Sequence, residues 1–198
     1  MSNSESGEPD SQTGDVTGVV LDFLPHGRAE DDRPQYEKPP LAFVLTEDEF
    51  RLLELELEDD PDVQIGDRID VGRGADTPIV SRRDVEYDDL PSGARSEIDY
   101  VVEEIVARNE ERFTDFYNDA QPITLRLHQL NLLPGIGKKL RNNILDERDQ
   151  RPFQSFSDLE SRVSGLHNPQ EVLVERILEE LREDDLKYRT FVREDEQD

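Results

Sequence analysis

Apolar positions along the chain change their period near residue 86, and the expected structure changes with them. Between Thr17 and Glu86 the pattern is β-like. Val19, Val20, Leu21, Phe23 and Leu24 form one short apolar run and Leu41 to Leu45 another, separated by Pro25-His26-Gly27-Arg28 and an acidic loop containing prolines. From Phe50 to Leu57, leucines at 53, 55 and 57 alternate with glutamates at 54, 56 and 58, the period of two of a half-buried strand. Ile65 to Gly72 reads as a turn entering a further strand, and Pro78-Ile79-Val80 opens the last, ending near Val85. About five short strands in some 70 residues predict a small closed barrel, of which the oligonucleotide-binding (OB) fold is the commonest form.

Beyond a linker from Tyr87 to Gly93, whose Asp88-Asp89-Leu90-Pro91-Ser92 combines breaker and helix cap, the period lengthens. Ile98, Val101, Val102, Ile105 and Val106 keep three-four spacing, and Phe113, Phe116 and Tyr117 resume the stripe. One long amphipathic helix with its stripe in a core is expected, ending at Asn118 to Pro122. Next, an apolar run (Leu125, Leu127, Leu130, Leu133) meets Pro134-Gly135-Ile136-Gly137, and another helix continues through Leu140, Ile144 and Leu145. This predicts a helix-hairpin-helix over 124–148. Ser157 is the expected N-cap of a short helix to Val163, Gly165 to Pro169 turns, and Val172 to Leu181 forms a last helix. That stretch, 157–181, reads as a degenerate second hairpin that packs on the first through Phe153 and Phe156. The predicted class is therefore α+β: a disordered acidic tail (1–16), an OB-fold-like β-barrel (17–86), an all-α tandem helix-hairpin-helix domain (87–184), and a charged C-terminal tail (185–198). In that last tail Tyr188, Phe191 and Val192 remain able to dock.

Charge sharpens this picture at one place. The chain carries 49 acidic residues against 23 lysines and arginines, a net charge of −26, which is the profile of a cytoplasmic protein from an extreme halophile. The competing reading is a nucleic-acid mimic or a partner for basic proteins, against which stands the spread of acids along the chain rather than in one block. At that density a run of 26 residues should hold about six acids, yet Ala120 to Leu145 holds none. It does hold Arg126, Lys138, Lys139 and Arg141, and only four lysines occur in the whole chain.

The chemistry implied at this corner is anion binding. Pro134 discourages continuation of the first helix, and Gly135 and Gly137 permit positive φ and close backbone approach. Ile136 is expected to plug the turn into the core. The amides near Gly137 open the next helix with unpaired N–H groups at a positive dipole end, suited to a phosphate oxygen, and Lys138, Lys139 and Arg141 add charge. Such a corner follows phosphates and does not read base edges. Alternatively it is a packing corner, or it binds an acidic protein segment. On the barrel, Tyr36 and Phe43 are candidates for base stacking, and Arg68, Arg73, Arg82 and Arg83 for phosphate contact, unless those arginines only balance local acids.

The chain resembles an archaeal family known as domain of unknown function 655. The matching stretches are 20–28 (Val-Leu-Asp-Phe-Leu-Pro-His-Gly-Arg), 100–106, 110–113 and, closest, Pro122 to Leu140. The resemblance spans roughly 17 to 182. It implies an OB-like barrel followed by a helix-hairpin-helix, and an RNA-binding role in a translation or transcription setting. Gly135, Gly137 and Lys139 match the general hairpin motif, whereas Arg141 stands where that motif usually has alanine. RNA is thus favoured over DNA, with ribosome or RNA polymerase components as further partners.

No enzyme constellation emerges. His26, His128 and His167 lie far apart without carboxylates at ligand spacing, which argues against a metal site. Cysteine is absent, so no disulfide framework or thiolate site exists. Asp158 falls where some helix-hairpin-helix glycosylases carry a catalytic acid, but Ser157-Asp158 is better explained by helix capping. No cofactor, membrane span or secretory signal is expected.

Overall fold

A computed structural model describes residues 16–193 except 73 and 75; the expected tail at 1–15, the end of the chain at 194–198 and Arg73 fall outside the described residues. Five strands form one antiparallel sheet: β1 (Thr17–Leu24), β2 (Leu41–Thr46), β3 (Leu52–Leu57), β4 (Arg68–Asp70) and β5 (Ile79–Asp84), in the order β4-β1-β2-β3-β5. The expected closed barrel is instead a curled sheet, a half-barrel, with β4 and β5 at opposite edges among the described residues. The shortness of β4, three residues paired only with β1, leaves little backbone with which to close the ring.

Both faces of the sheet are buried, because adjacent residues point to opposite sides. Val20, Ala42, Val44, Leu53, Leu55 and Leu57 fill the inner side with Val63 and Val71. Val19, Leu21, Phe43, Leu45 and Leu52 join a larger core shared with the helices. A bulge in β1 between Val20 and Asp22 leaves Leu21 as the extra residue and sets Asp22 opposite Phe43. The expected alternation in β3 is present, and Glu54 on its polar side is covered by Arg28 and Arg83.

The predicted long helix is two, α1 (Ser92–Arg108) and α2 (Glu110–Asp119). Asn109 breaks it: its backbone leaves helical geometry (φ −108°, ψ 39°) while its side-chain amide donates to Ile105 O at 2.8 Å, a local competitor for the helix ladder. α1 lies close against β1, where a methyl group on Gly93 would overlap the Asp22 carboxylate. Buried Glu47, in the turn after β2, accepts from Arg68 of β4 and Arg108 of α1, joining sheet to helices.

Three further helices complete the fold: α3 (Lys138–Gln150), α4 (Phe156–Arg162) and α5 (Pro169–Arg182). The N-cap of α4 is Ser155, whose hydroxyl accepts from Asp158 N at 3.0 Å; Ser157, the expected cap, lies inside the helix. Tyr117 spans from α2 to α5, its buried hydroxyl donating to Pro169 O at 2.9 Å.

After α5 the chain turns back. The carboxylate of Glu180, fully buried, accepts from the backbone N–H groups of Thr190, Phe191 and Val192 and from Arg176 Nε. Phe191 thereby enters the core 4.9 Å from the Phe116 ring, and Arg193 N reaches Glu49 O in the turn before β3. The second half of 185–193 is a docked strap.

Candidate nucleic-acid interface

The acid-free segment folds differently from the expected hairpin. Its first arm is not an α-helix. Only Gln129–Leu132 forms a helical turn, of 3₁₀ type, and Pro122 to His128 is a tight loop closed by a bridge between those two residues. Ile123 N and Thr124 N both donate to Leu127 O, and the Thr124 hydroxyl accepts from the N–H groups of Arg126 and Leu127. These bonds compete with a helix for the same backbone groups. Leu125, expected on a buried stripe, stands at the loop tip and is completely exposed.

The corner itself is well ordered. Leu133-Pro134-Gly135-Ile136 closes with Ile136 N donating to Leu133 O at 3.2 Å, and Gly135 has φ +76°. Proline followed by a left-handed residue is the requirement of a type II turn. Ile136 is 4% exposed and packs in the shared core, as a plug would. Above Gly135 and Gly137 nothing lies within 4 Å of the space a Cβ would take. The opening turn of α3 is thus uncovered, and Gly137 supplies no side-chain cap for its amides.

Asn131, which sequence reasoning passed over, sets the corner's shape. Its amide donates to Ile136 O at 3.1 Å while its oxygen accepts from Arg141 at 3.0 Å. Arg141 also donates to Asn142 Oδ1. Both partners are neutral, so its charge is held in place without being cancelled. Lys138 and Lys139 are exposed, and among the described residues no carboxylate pairs with them or with Arg126.

The described candidate arginines of the sheet have partners. Arg83 pairs with Glu54 at 2.7 Å and Arg82 donates to Val71 O at 2.7 Å; both sit on edge strand β5, apart from the corner's elements. Arg68 pairs with Glu47. Phe43 is fully buried under the Arg28 guanidinium, 5.1 Å from its ring centroid, so no base can stack on it, while Tyr36 is exposed.

The second corner serves as an internal comparison. Leu166 N donates to Val163 O at 3.2 Å, Gly165 has φ +92°, and buried Leu166 takes the place of Ile136. Yet α5 then begins with Pro169, which has no N–H, and carries Glu171 in its first turn. Acids also open α2 (Glu110, Glu111) and α4 (Asp158), where the helix dipole favours them. α3 runs the other way. Lys138, Lys139 and Arg141 lie at its start, while Asp146, Glu147 and Asp149 lie in its second half. Each misplaced charge costs about 0.3–1 kcal/mol, which packing alone gives no reason to bear.

His128 caps the 3₁₀ turn that leads to the corner through Nδ1, which accepts from Leu130 N at 3.1 Å. Burial, then the charges of Arg148 and Arg141, hold its imidazole below the ordinary value of 6.5. As pH falls below 6.5 the unfolded chain takes up the proton first, so stability present above that value is lost as pH approaches the folded-state value. Thermal stability should therefore decline as pH falls below the ordinary value of 6.5, with a smaller amide-exchange protection factor at Leu130. His128→Asn, which keeps an acceptor but does not titrate, should flatten that decline. Identical pH profiles for the two proteins would refute the assignment.

A family model described as "Protein of unknown function (DUF655)" matches residues 15–193. The chain belongs to the DUF655 family. Its relatives include the uncharacterized protein MJ0038 of Methanocaldococcus jannaschii, 40% identical over 176 residues that cover 88% of this chain and 78% of the relative. The crystal structure of Af1531 from Archaeoglobus fulgidus, assigned to DUF655, is 39% identical with a TM-score of 0.80, covering 90% of this chain and 99% of that one. The curled antiparallel sheet joined to helices is thus a fold shared with a solved member of the family. Among the described residues of this DUF655 chain, no helix is long and apolar enough to cross a membrane.

Proposed function

We propose that the chain is a non-enzymatic nucleic-acid-binding protein that grips the phosphate backbone, without reading sequence, at the corner opening α3. The observation that carries this reading is the basic, uncapped and carboxylate-free first turn of α3, set against its own helix dipole in a chain of net charge −26. The amides of that turn take phosphate oxygens, and Lys138 and Lys139 neutralise them. Gly135 and Gly137 let the backbone come close, and Asn131 with Arg141 keeps the corner shaped. RNA is the favoured ligand, in a cytoplasmic setting of translation or RNA metabolism. Phosphate recognition alone does not distinguish the 2′-hydroxyl, so the preference is for the sheet or the exposed loops to supply.

Crosslinking in cells, followed by sequencing of the attached nucleic acid, tests the class of ligand directly; failure to recover RNA or DNA above background refutes the reading. A salt titration tests the mechanism. Binding through many phosphate contacts loses about 10³–10⁵ in affinity between 50 and 200 mM salt. Two or three contacts on a strongly acidic protein should change affinity by at most about tenfold over that range, since screening also relieves repulsion. A thousandfold loss would mean that a much larger basic surface is at work.

A further inference from the structure

The loop that precedes the corner in the chain presents a feature that phosphate binding does not use. Leu125 has a relative exposure of 107%, which means that its side chain stands clear of every neighbour. Single exposed leucines are ordinary, but three circumstances separate this one. The loop is ordered, with its ends tied by the Pro122–His128 bridge, its interior by the Thr124 hydroxyl, and its base by a mutual pair between Gln121 and Gln129. The flanking Arg126 guanidinium has no partner among the described residues. And the loop lies within the 26 residues that contain no acid.

Its position relative to the corner is set by the chain. Four residues from Leu125 to Gln129 reach at most about 14 Å, and the 3₁₀ turn adds about 8 Å. A further six residues from Leu132 to Lys138 add at most about 21 Å, so Leu125 and Lys138 stand within about 43 Å, the span of a ten-base-pair duplex of roughly 34 Å with a short overhang. A protein partner would be expected to meet an apolar cluster with a polar rim. Here Leu125 projects alone among Thr124, Arg126 and Pro122, a single aliphatic side chain on a stiff basic support. That is the form in which side chains enter between bases.

We propose that Leu125 is the base-contacting residue of the interface: it packs on the face of an unpaired or terminal base, or wedges into the last base step, while Arg126 and the α3 corner hold the adjoining phosphates. The ligand class is a nucleic acid with a paired-to-unpaired junction. This rests on the function proposed above and extends it from backbone to base.

The test uses the full chain with an RNA duplex of about ten base pairs bearing a single-stranded overhang, with 2-aminopurine at the junction. Binding of the wild-type protein should raise the 2-aminopurine fluorescence as the base leaves its stack. Leu125→Ala, whose side chain supports nothing in the fold, should melt with the wild type, bind about three- to tenfold more weakly, and lose most of the fluorescence rise. Arg126→Ala should weaken binding while retaining the rise. Wild-type binding with no fluorescence change, or a rise unaltered in Leu125→Ala, overturns the wedge and leaves phosphate binding intact; the second result would point to a protein partner for the loop. No binding by the wild type to any probe overturns both.

Discussion

Replacing Lys138 and Lys139 together by glutamate is expected to weaken nucleic-acid binding by about a hundredfold or more while leaving the protein as stable as before, or more so. Hydrogen bonds to charged groups contribute roughly 1.5–3 kcal/mol each. Losing two at the low end gives about 3 kcal/mol, or roughly a hundredfold, before repulsion from the new carboxylates is added. The stability effect has the opposite sign. Glutamates in the first turn of α3 would stand where the dipole favours them, as Glu110, Glu111 and Glu171 already do in α2 and α5. Each exchange should yield about 0.3–1 kcal/mol in dilute buffer, a rise of a few degrees in the melting temperature. Both side chains are exposed and have no ion-pair partner among the described residues, so no such pair is broken. Fluorescence anisotropy and thermal unfolding measure the two halves. If affinity holds while the melting temperature rises, the corner is not the site; if both fall together, the lysines support the fold. Arg141 is left out of this variant because it holds Asn131, and its loss would deform the corner as well as remove charge.

The corner was visible in the sequence because its signals are local: a run without acids, and proline and glycines at fixed offsets. β3 was visible for a similar reason, since leucine and glutamate alternate without interruption. The break between α1 and α2 was not, because the apolar stripe runs through it and only the side chain of Asn109 betrays it. The first arm of the hairpin departs from its predicted helix because the sequence carries a conflict of periods. Leu127, Leu130 and Leu133 suit a helix, but Leu125 and Leu127 are two apart. Thr124 then captures two backbone N–H groups that a helix would need. Closure of the barrel depended on how much of β4 and β5 could pair, which is a matter of distant chain segments. Arg82 and Arg83 looked available for the same reason that Glu54 and the carbonyl of Val71 are remote in sequence.

Glu180 is the residue least recognisable in the sequence and the one with the largest expected effect on stability. Glutamates are abundant in this chain, and nothing in Ile177-Leu178-Glu179-Glu180 marks the last as buried. Its carboxylate nevertheless receives Arg176 and three consecutive N–H groups of the strap. Glu180→Ala leaves those amides without an acceptor and Arg176 with only the half-exposed Glu179 as a carboxylate partner. Breaking a buried pair from one side costs about 3–5 kcal/mol, so a fall of roughly 10 °C or more in melting temperature is expected. Glu180→Gln should fall between, because its amide oxygen still accepts while its amide nitrogen faces the strap's donors. Limited proteolysis should cut the alanine variant early within 185–193, since Phe191 would no longer be drawn between Phe113 and Phe116. Binding should separate from stability in the reverse sense to the lysine variant. The α3 corner is held by hydrogen bonds of Asn131, Arg141 and Ile136 that do not involve the strap, so below its melting temperature Glu180→Ala should keep the wild-type affinity for a short duplex. A variant that melts with the wild type would show that the carboxylate does not clamp the strap, and one that loses affinity while folded would show that strap and corner act as one unit.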